Sequence, residues 1–177
     1  MEIWDLYDRD DNRTGETWER IPGNYNKIPD GRYHMVCDIL VQHEDGTYLL
    51  TKRHPEKDVY PGYWEASAGG SAVAGESPLE CAKRELFEET GIKAEEKDFK
   101  LISHTHRDSS HSMFYSYLIV TDCKKDSVVL QESETVDYKW VDCKGLLEYA
   151  DSNLAIKSHN DRYKAFFEEL RHIYGNS

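Results

Sequence analysis

Residues Ser77 to Gly91 carry both ends of one helix, and no other stretch constrains the fold as tightly. Ser77 is placed to accept from the open N–H groups of a first turn. Glu80, three residues on, can reach back to complete a capping box. Pro78 takes the first helical position, where its missing N–H is harmless. Gly91 follows Thr90, where a helix needs a left-handed residue to stop. The spacing therefore predicts a helix over Pro78–Thr90. Leu79, Ala82 and Leu86 form its apolar stripe. Glu85, Glu88 and Glu89 fall at i, i+3 and i+4, so they converge on one face. At about 100° per residue that face lies beside the apolar stripe, at the rim of a core, where a cleft can form.

Three carboxylates this close raise one another's pKa unless a cation intervenes. Oxygen-only donors favour Mg²⁺ or Mn²⁺ over Zn²⁺. The competing reading is a solvated acidic face, which is ordinary in an acidic chain. With 22 basic and 34 acidic residues the net charge is −12, which opposes general affinity for nucleic acid or anionic lipid. An anionic substrate then needs a local reversal of sign, which a bound divalent cation supplies.

At 177 residues the chain fits one domain with a small extension. Met1 to Arg32 is polar and turn-rich. Ile3–Asp8 alternates like a strand, Asp10–Gly15 reads as a turn, and 1–31 is expected to form a small hairpin or lid ahead of a domain at 32–177. Strands are expected at His34–Val41, Tyr48–Arg53, Lys100–Arg107, Met113–Thr121 and Val136–Val141, with Asp45-Gly46 turning between the first two. Pro55–Pro61 is a charged loop. Leu146–Ala150 suits a short helix, and Tyr163, Phe166, Phe167, Leu170 and Ile173 lie at helical spacing in a C-terminal one. This mixture predicts an α/β (α+β) sandwich. Cys37, Cys81, Cys123 and Cys143 form no C-x-x-C pair, and there is no signal peptide or long apolar run. Reduced thiols in a cytoplasmic, non-membrane protein are the expectation.

The wider pattern is more specific. Gly70, Glu76, Arg84-Glu85-Leu86, Glu88-Glu89, Gly91 and Ile92 stand at the fixed gaps of a Nudix box, and the chain resembles the Nudix hydrolase superfamily directly over Gly70–Ile92 and more loosely over 34–141. The resemblance implies an α/β/α sandwich with a mixed sheet, a catalytic loop–helix–loop and a C-terminal helix. It implies Mg²⁺, with Mn²⁺ as substitute, bridging the diphosphate of a small-molecule substrate and assisting attack by water. Glu88 and Glu89 would be metal ligands and Glu85 a ligand or general base. Arg84 would hold Glu85, Glu76 would support the loop or substrate, and a carbonyl near Gly70 would complete the shell. Glu134, ahead of Glu132 in preference, is a further catalytic candidate. Lys52 and Arg53 are candidates for substrate phosphate, with solvated strand-end charges as the alternative. Tyr63 is a candidate for stacking on substrate, whereas Trp64 is expected to serve packing. Many members pair as homodimers, which extends that expectation to this chain.

Two other functions compete with this one. Trp4–Asp8, Lys52-Arg53 and Pro61–Trp64 are similar to relatives of isopentenyl-diphosphate isomerase. That chemistry needs a Cys after Trp64 and a Glu after a later Trp, and both are missing here. A non-catalytic nucleotide or metabolite sensor would more readily have lost a box carboxylate. His104 and His106 point the same way on a strand, and with His111 they invite zinc, which would want a third or fourth ligand in register; a solvated or substrate-facing strand is the favoured alternative.

Overall fold

The computed structural model describes residues 1–24 and 27–175. Strands β1 (Ile3–Tyr7) and β2 (Arg13–Glu19) form an antiparallel hairpin. Its turn closes earlier than Asp10–Gly15. The Asp8 carboxylate accepts from the backbone N–H groups of Asp10 and Asn12, and Asp11 adopts a left-handed φ of 66°, so β2 is under way at Arg13. Trp4, Leu6 and Ile28 give the hairpin a small core of its own, and a bridge from Tyr7 to Tyr33 ties it to the rest of the chain.

The main sheet is mixed. It contains β3 (His34–His43), β4 (Tyr48–Arg53), β5 (Trp64–Ala66), β6 (Ala68–Ser71), β7 (Lys100–Arg107), β8 (Ser112–Thr121) and β9 (Thr135–Val141). β3 runs parallel to β8 and antiparallel to β6, while β4 pairs with β5 and β9. Strand alternation sorts the core into two layers. Met35, Cys37, Ile39 and Val41 of β3 face helix α1 (Pro78–Thr90) and meet its Cys81, Ala82 and Leu86. Leu40, Leu50 and Leu118 face the other way, against α2 (Cys143–Asp151) and α4 (Lys164–Tyr174). The result is the helix–sheet–helix sandwich that the sequence implied.

The C-terminal stripe is interrupted. α3 (Lys157–Arg162) ends at Tyr163, whose ψ of 8° breaks the path before α4 starts. Tyr163, Phe167 and Leu170 are buried as expected, but Ile173 is exposed.

His34 lies under Trp4, its ring stacked at 4.1 Å, with Ser112 Oγ 3.0 Å from Nε2. Burial pushes its pKa down to about 3. The unfolded chain takes up this proton below about pH 6.5 and the folded chain does not, so the unfolded state binds more protons there. The contribution of the neutral ring is complete above that pH and drains away as pH falls toward 3. Relative to wild type, His34→Gln should therefore gain about 2 kcal/mol between pH 7 and pH 5. Urea denaturation at both pH values measures this, and a pH-independent difference would refute it.

Candidate metal-binding active site

Helix α1 starts and stops as its sequence dictates. Glu80 N–H donates to Ser77 Oγ at 3.2 Å, and Ser77 N–H donates to Glu80 Oε2 at 2.8 Å. Gly91, at φ 71°, donates to the Phe87 carbonyl. These ends fix the rotation of the helix, so Cys81, Ala82 and Leu86 enter the core while Glu85, Glu88 and Glu89 line a cavity of about 280 Å³ beside it. Gly69, Gly70, Arg53, Lys57 and Glu134 share that cavity, with Glu2 and Arg20 from the N-terminal hairpin at its edge.

Arg84 organises the carboxylates from behind. Its Nε and Nη2 donate to both oxygens of Glu76, at 2.6 and 2.9 Å, and Nη1 donates to Glu85 at 2.7 Å and Glu88 at 3.2 Å. Glu76 is thereby committed to Arg84 and to the backbone N–H of Val73, and it does not line the cavity. Glu85 is pushed above the usual carboxylate range by burial, against the pull of Arg84. Glu89 is pushed well above it, first by burial and then by the charges of Glu65 and Glu85. Its Oε2 accepts from Gly69 N–H at 3.2 Å. No basic side chain pairs with Glu89 among the described residues. Buried negative charge in excess, offered entirely by oxygens, fits a hard divalent cation.

Two glycines shape the loop facing the helix. A Cβ on Gly70 would sit 2.4–2.5 Å from the Glu85 carboxyl atoms, and one on Gly69 would sit 2.7 Å from the Cys37 carbonyl oxygen. The first clash is with the end of a flexible side chain and the second with backbone. Gly70→Ala should therefore fold normally and displace the Glu85 carboxylate, lowering kcat by about 100-fold. Gly69→Ala should chiefly lose stability. Circular dichroism melts run alongside turnover assays separate the two, and equal activity in Gly70→Ala and wild type would contradict the packing argument.

Not every residue singled out in the sequence reaches the cavity. Arg53 does, but Lys52 alternates to the other face of β4 and lies 6.0 Å from the centroid of the Trp64 ring. Tyr63 lies outside it, beside Tyr60 in a separate hollow against Ala155 and Lys157. Trp64 packs partly buried in the second core layer, with Lys139 Nζ 4.3 Å from its ring centroid. Glu134 does reach the cavity, ion-paired with Lys57. Glu132 is exposed. Residues not anticipated are Lys57, Glu2, Arg20 and Glu65, the last buried with Arg53 Nη1 at 3.2 Å and pushed up by burial. Lys57 carried no signal beyond its place in a charged loop. Glu65 was hinted at only by being an acid in an otherwise small and apolar strand.

The NUDIX domain profile matches residues 32–165. The uncharacterized Nudix hydrolase lmo0368 of Listeria monocytogenes is 32% identical over 141 residues, which are 80% of each chain. The nucleoside triphosphatase NudI of Escherichia coli is 30% identical over 131 residues, 70% of this chain and 90% of that one. The crystal structure of DR0079 from Deinococcus radiodurans superposes with a TM-score of 0.69 at 19% identity, covering 98% of this chain and 99% of its own. At that identity the structural likeness speaks for the fold alone, while the profile and the sequence relatives carry the assignment. This chain belongs to the Nudix domain family.

Proposed function

We propose that this protein is a divalent-cation-dependent hydrolase that cleaves the diphosphate linkage of a nucleoside diphosphate derivative or another small organic diphosphate. The observation that carries this reading is one cavity lined both by Glu85, Glu88, Glu89 and the Gly70 loop and by the basic side chains of Arg53 and Lys57. A substrate diphosphate there would meet a cation site and basic side chains together.

Glu88 and Glu89 would hold the cation, with Glu85 and the Gly70 carbonyl completing the set. When bound, Mg²⁺ or Mn²⁺ would offset charge on the diphosphate and acidify an attacking water. Glu85, whose pKa burial raises, is suited to take the proton of that water, and Arg84 keeps its carboxylate aimed into the cavity. Glu134, held by Lys57, is the second candidate for that proton. Arg53 and Lys57 would orient the phosphates. Among the described residues that line the cavity none is aromatic, and its charged side chains suit phosphate recognition. The triphosphatase activity in the name of the NudI relative supports a nucleotide substrate.

Isomerase chemistry finds no Cys in the segment after Trp64. Ser67 stands there, and its hydroxyl is engaged with the Leu49 carbonyl and Val41 N–H inside the sheet.

The test is a panel of nucleoside di- and triphosphates, nucleotide sugars, dinucleotide polyphosphates and isoprenoid diphosphates, each with Mg²⁺ and with Mn²⁺. Phosphate and pyrophosphate are quantified separately. Cation-dependent release from at least one class is expected. Isomerisation of isopentenyl diphosphate without phosphate release, or binding without turnover across the panel, would overturn the proposal.

A further inference from the structure

The turn of the N-terminal hairpin meets the edge strand β7 at a cluster that the hydrolase site does not use. Asp11, His104 and His106 bring one carboxylate oxygen and two ring nitrogens within 4.8 Å of one another. Their side chains are 34%, 26% and 16% exposed. His104 and His106 are two residues apart and share a face of β7, and Asp11 is delivered by the left-handed step in the turn that Asp8 closes.

The hydrogen bonding is incomplete in a particular way. His104 Nδ1 lies 2.9 Å from the Phe114 carbonyl oxygen, a partner that only a donor can meet, so Nδ1 carries hydrogen. In a neutral ring Nε2 then presents a lone pair, and it faces Asp11 Oδ2 at 2.7 Å. Two lone pairs at that distance require a cation or a proton between them. A proton on His104 would serve this contact but not its neighbour. His106 Nε2 and Asp11 Oδ1 are 2.8 Å apart and shut off from water, yet neither makes a hydrogen bond of acceptable geometry. One ion held by all three residues satisfies both contacts at once.

We propose that Asp11, His104 and His106 form a transition-metal site, of the chemistry that takes Zn²⁺, which clasps the N-terminal hairpin to the edge of the main sheet. Two imidazoles and one carboxylate select zinc-like ions over magnesium, the reverse of the all-oxygen cavity. The donation from His104 to a backbone carbonyl is the kind of outer contact that fixes the tautomer of a metal-ligating histidine. Bonds of about 2.0–2.1 Å in a tetrahedral shell place ligand atoms about 3.3 Å apart, and the three donor atoms here already lie within 4.8 Å of one another. A water would supply the fourth position. Tyr115, stacked on His104 at 4.1 Å, and Tyr33, edge-on to His106 at 4.9 Å, wall the rings on either side. His111 takes no part. Its carbonyl accepts from His34 N–H at the start of β3.

The full chain, stripped with chelator and dialysed, should bind one Zn²⁺ tightly in competition with a chromophoric zinc indicator in excess Mg²⁺. That stoichiometry should persist in a Glu88→Gln/Glu89→Gln variant, which removes two of the carboxylate ligands proposed for the other site. Because losing an outer contact already costs up to about 100-fold in affinity, Asp11→Asn and His106→Gln should each weaken binding by about 100-fold or more. In the wild-type chain, the imidazole carbon-bound proton resonances of His104 and His106 should move together and saturate at one equivalent of Zn²⁺, which tests the site without any substitution. Absence of a tight site, unchanged affinity in both folded variants, or resonances that titrate with acid but ignore Zn²⁺ would overturn the proposal in favour of a protonated cluster.

Discussion

Glu89→Gln is expected to cut turnover by about a thousandfold and at the same time raise the melting temperature of the cation-free protein by a few degrees. The two effects have opposite signs because they arise from the same charge. Glu89 is buried, and the carboxylates of Glu65 and Glu85 act on it in the direction that disfavours ionisation. The amide keeps an acceptor for the Gly69 N–H and removes the repulsion, so the folded chain without cation relaxes. It would also remove a ligand of the proposed cation, and a cation interaction with the transferring group is worth several kcal/mol of barrier. Phosphate release measures the first effect, and a thermal melt in chelator measures the second. A variant that loses activity and stability together would mark Glu89 as a packing residue and would break the link between buried charge and function.

Arg162→Met is expected to lose about 3–5 kcal/mol of stability, a large share of the total for a domain of this size. Asp38 sits in the middle of β3 and is buried. Burial pushes its carboxyl up, but Arg162, His159 and Ser116 together outweigh that and hold it below the usual range. Arg162 Nε and Nη2 donate to its two oxygens at 2.5 and 3.0 Å, Ser116 Oγ donates at 3.1 Å, and the guanidinium lies 4.0 Å over the Phe114 ring. Removing the arginine strands a charge inside the sandwich. Urea denaturation should therefore show a smaller deficit for Asp38→Asn/Arg162→Met than for Arg162→Met. The single variant should also suffer less at low pH, where its stranded carboxyl takes up a proton. A deficit below about 1 kcal/mol at pH 7 would mean that water reaches Asp38 and the pair is not a buried one.

The parts of this structure that were legible in the sequence are those fixed by local rules. The capping box, the proline at the first helical position and the terminal glycine bounded α1 at Pro78 and Thr90, the limits found in the fold. The expected bounds of β4 and β7 also match the strands found, Tyr48–Arg53 and Lys100–Arg107. What escaped depends on contacts between distant segments. Lys57 comes to the cavity because the 55–61 loop is pinned where His54 N–H donates to the Glu134 carbonyl. Asp11 reaches the β7 histidines only once the Asp8 turn and the Tyr7–Tyr33 bridge have set the hairpin against the sheet. Lys52 and Arg53 read as equals in the sequence, yet a strand can aim only one of two neighbours at a given face. The break at Tyr163 was hidden because its side chain fits the helical stripe while its backbone does not.

The central claim is that the α1 carboxylates act by holding a divalent cation against a substrate diphosphate. It is tested most directly by following phosphate and pyrophosphate release from the best substrate of the panel in chelator, then after Mg²⁺ is restored, for wild type and Glu88→Gln side by side. The account predicts no release in chelator, full recovery with Mg²⁺ for wild type, and a loss of about a thousandfold for Glu88→Gln at every Mg²⁺ concentration. Undiminished turnover in chelator, or a Glu88→Gln variant as active as wild type, would contradict it.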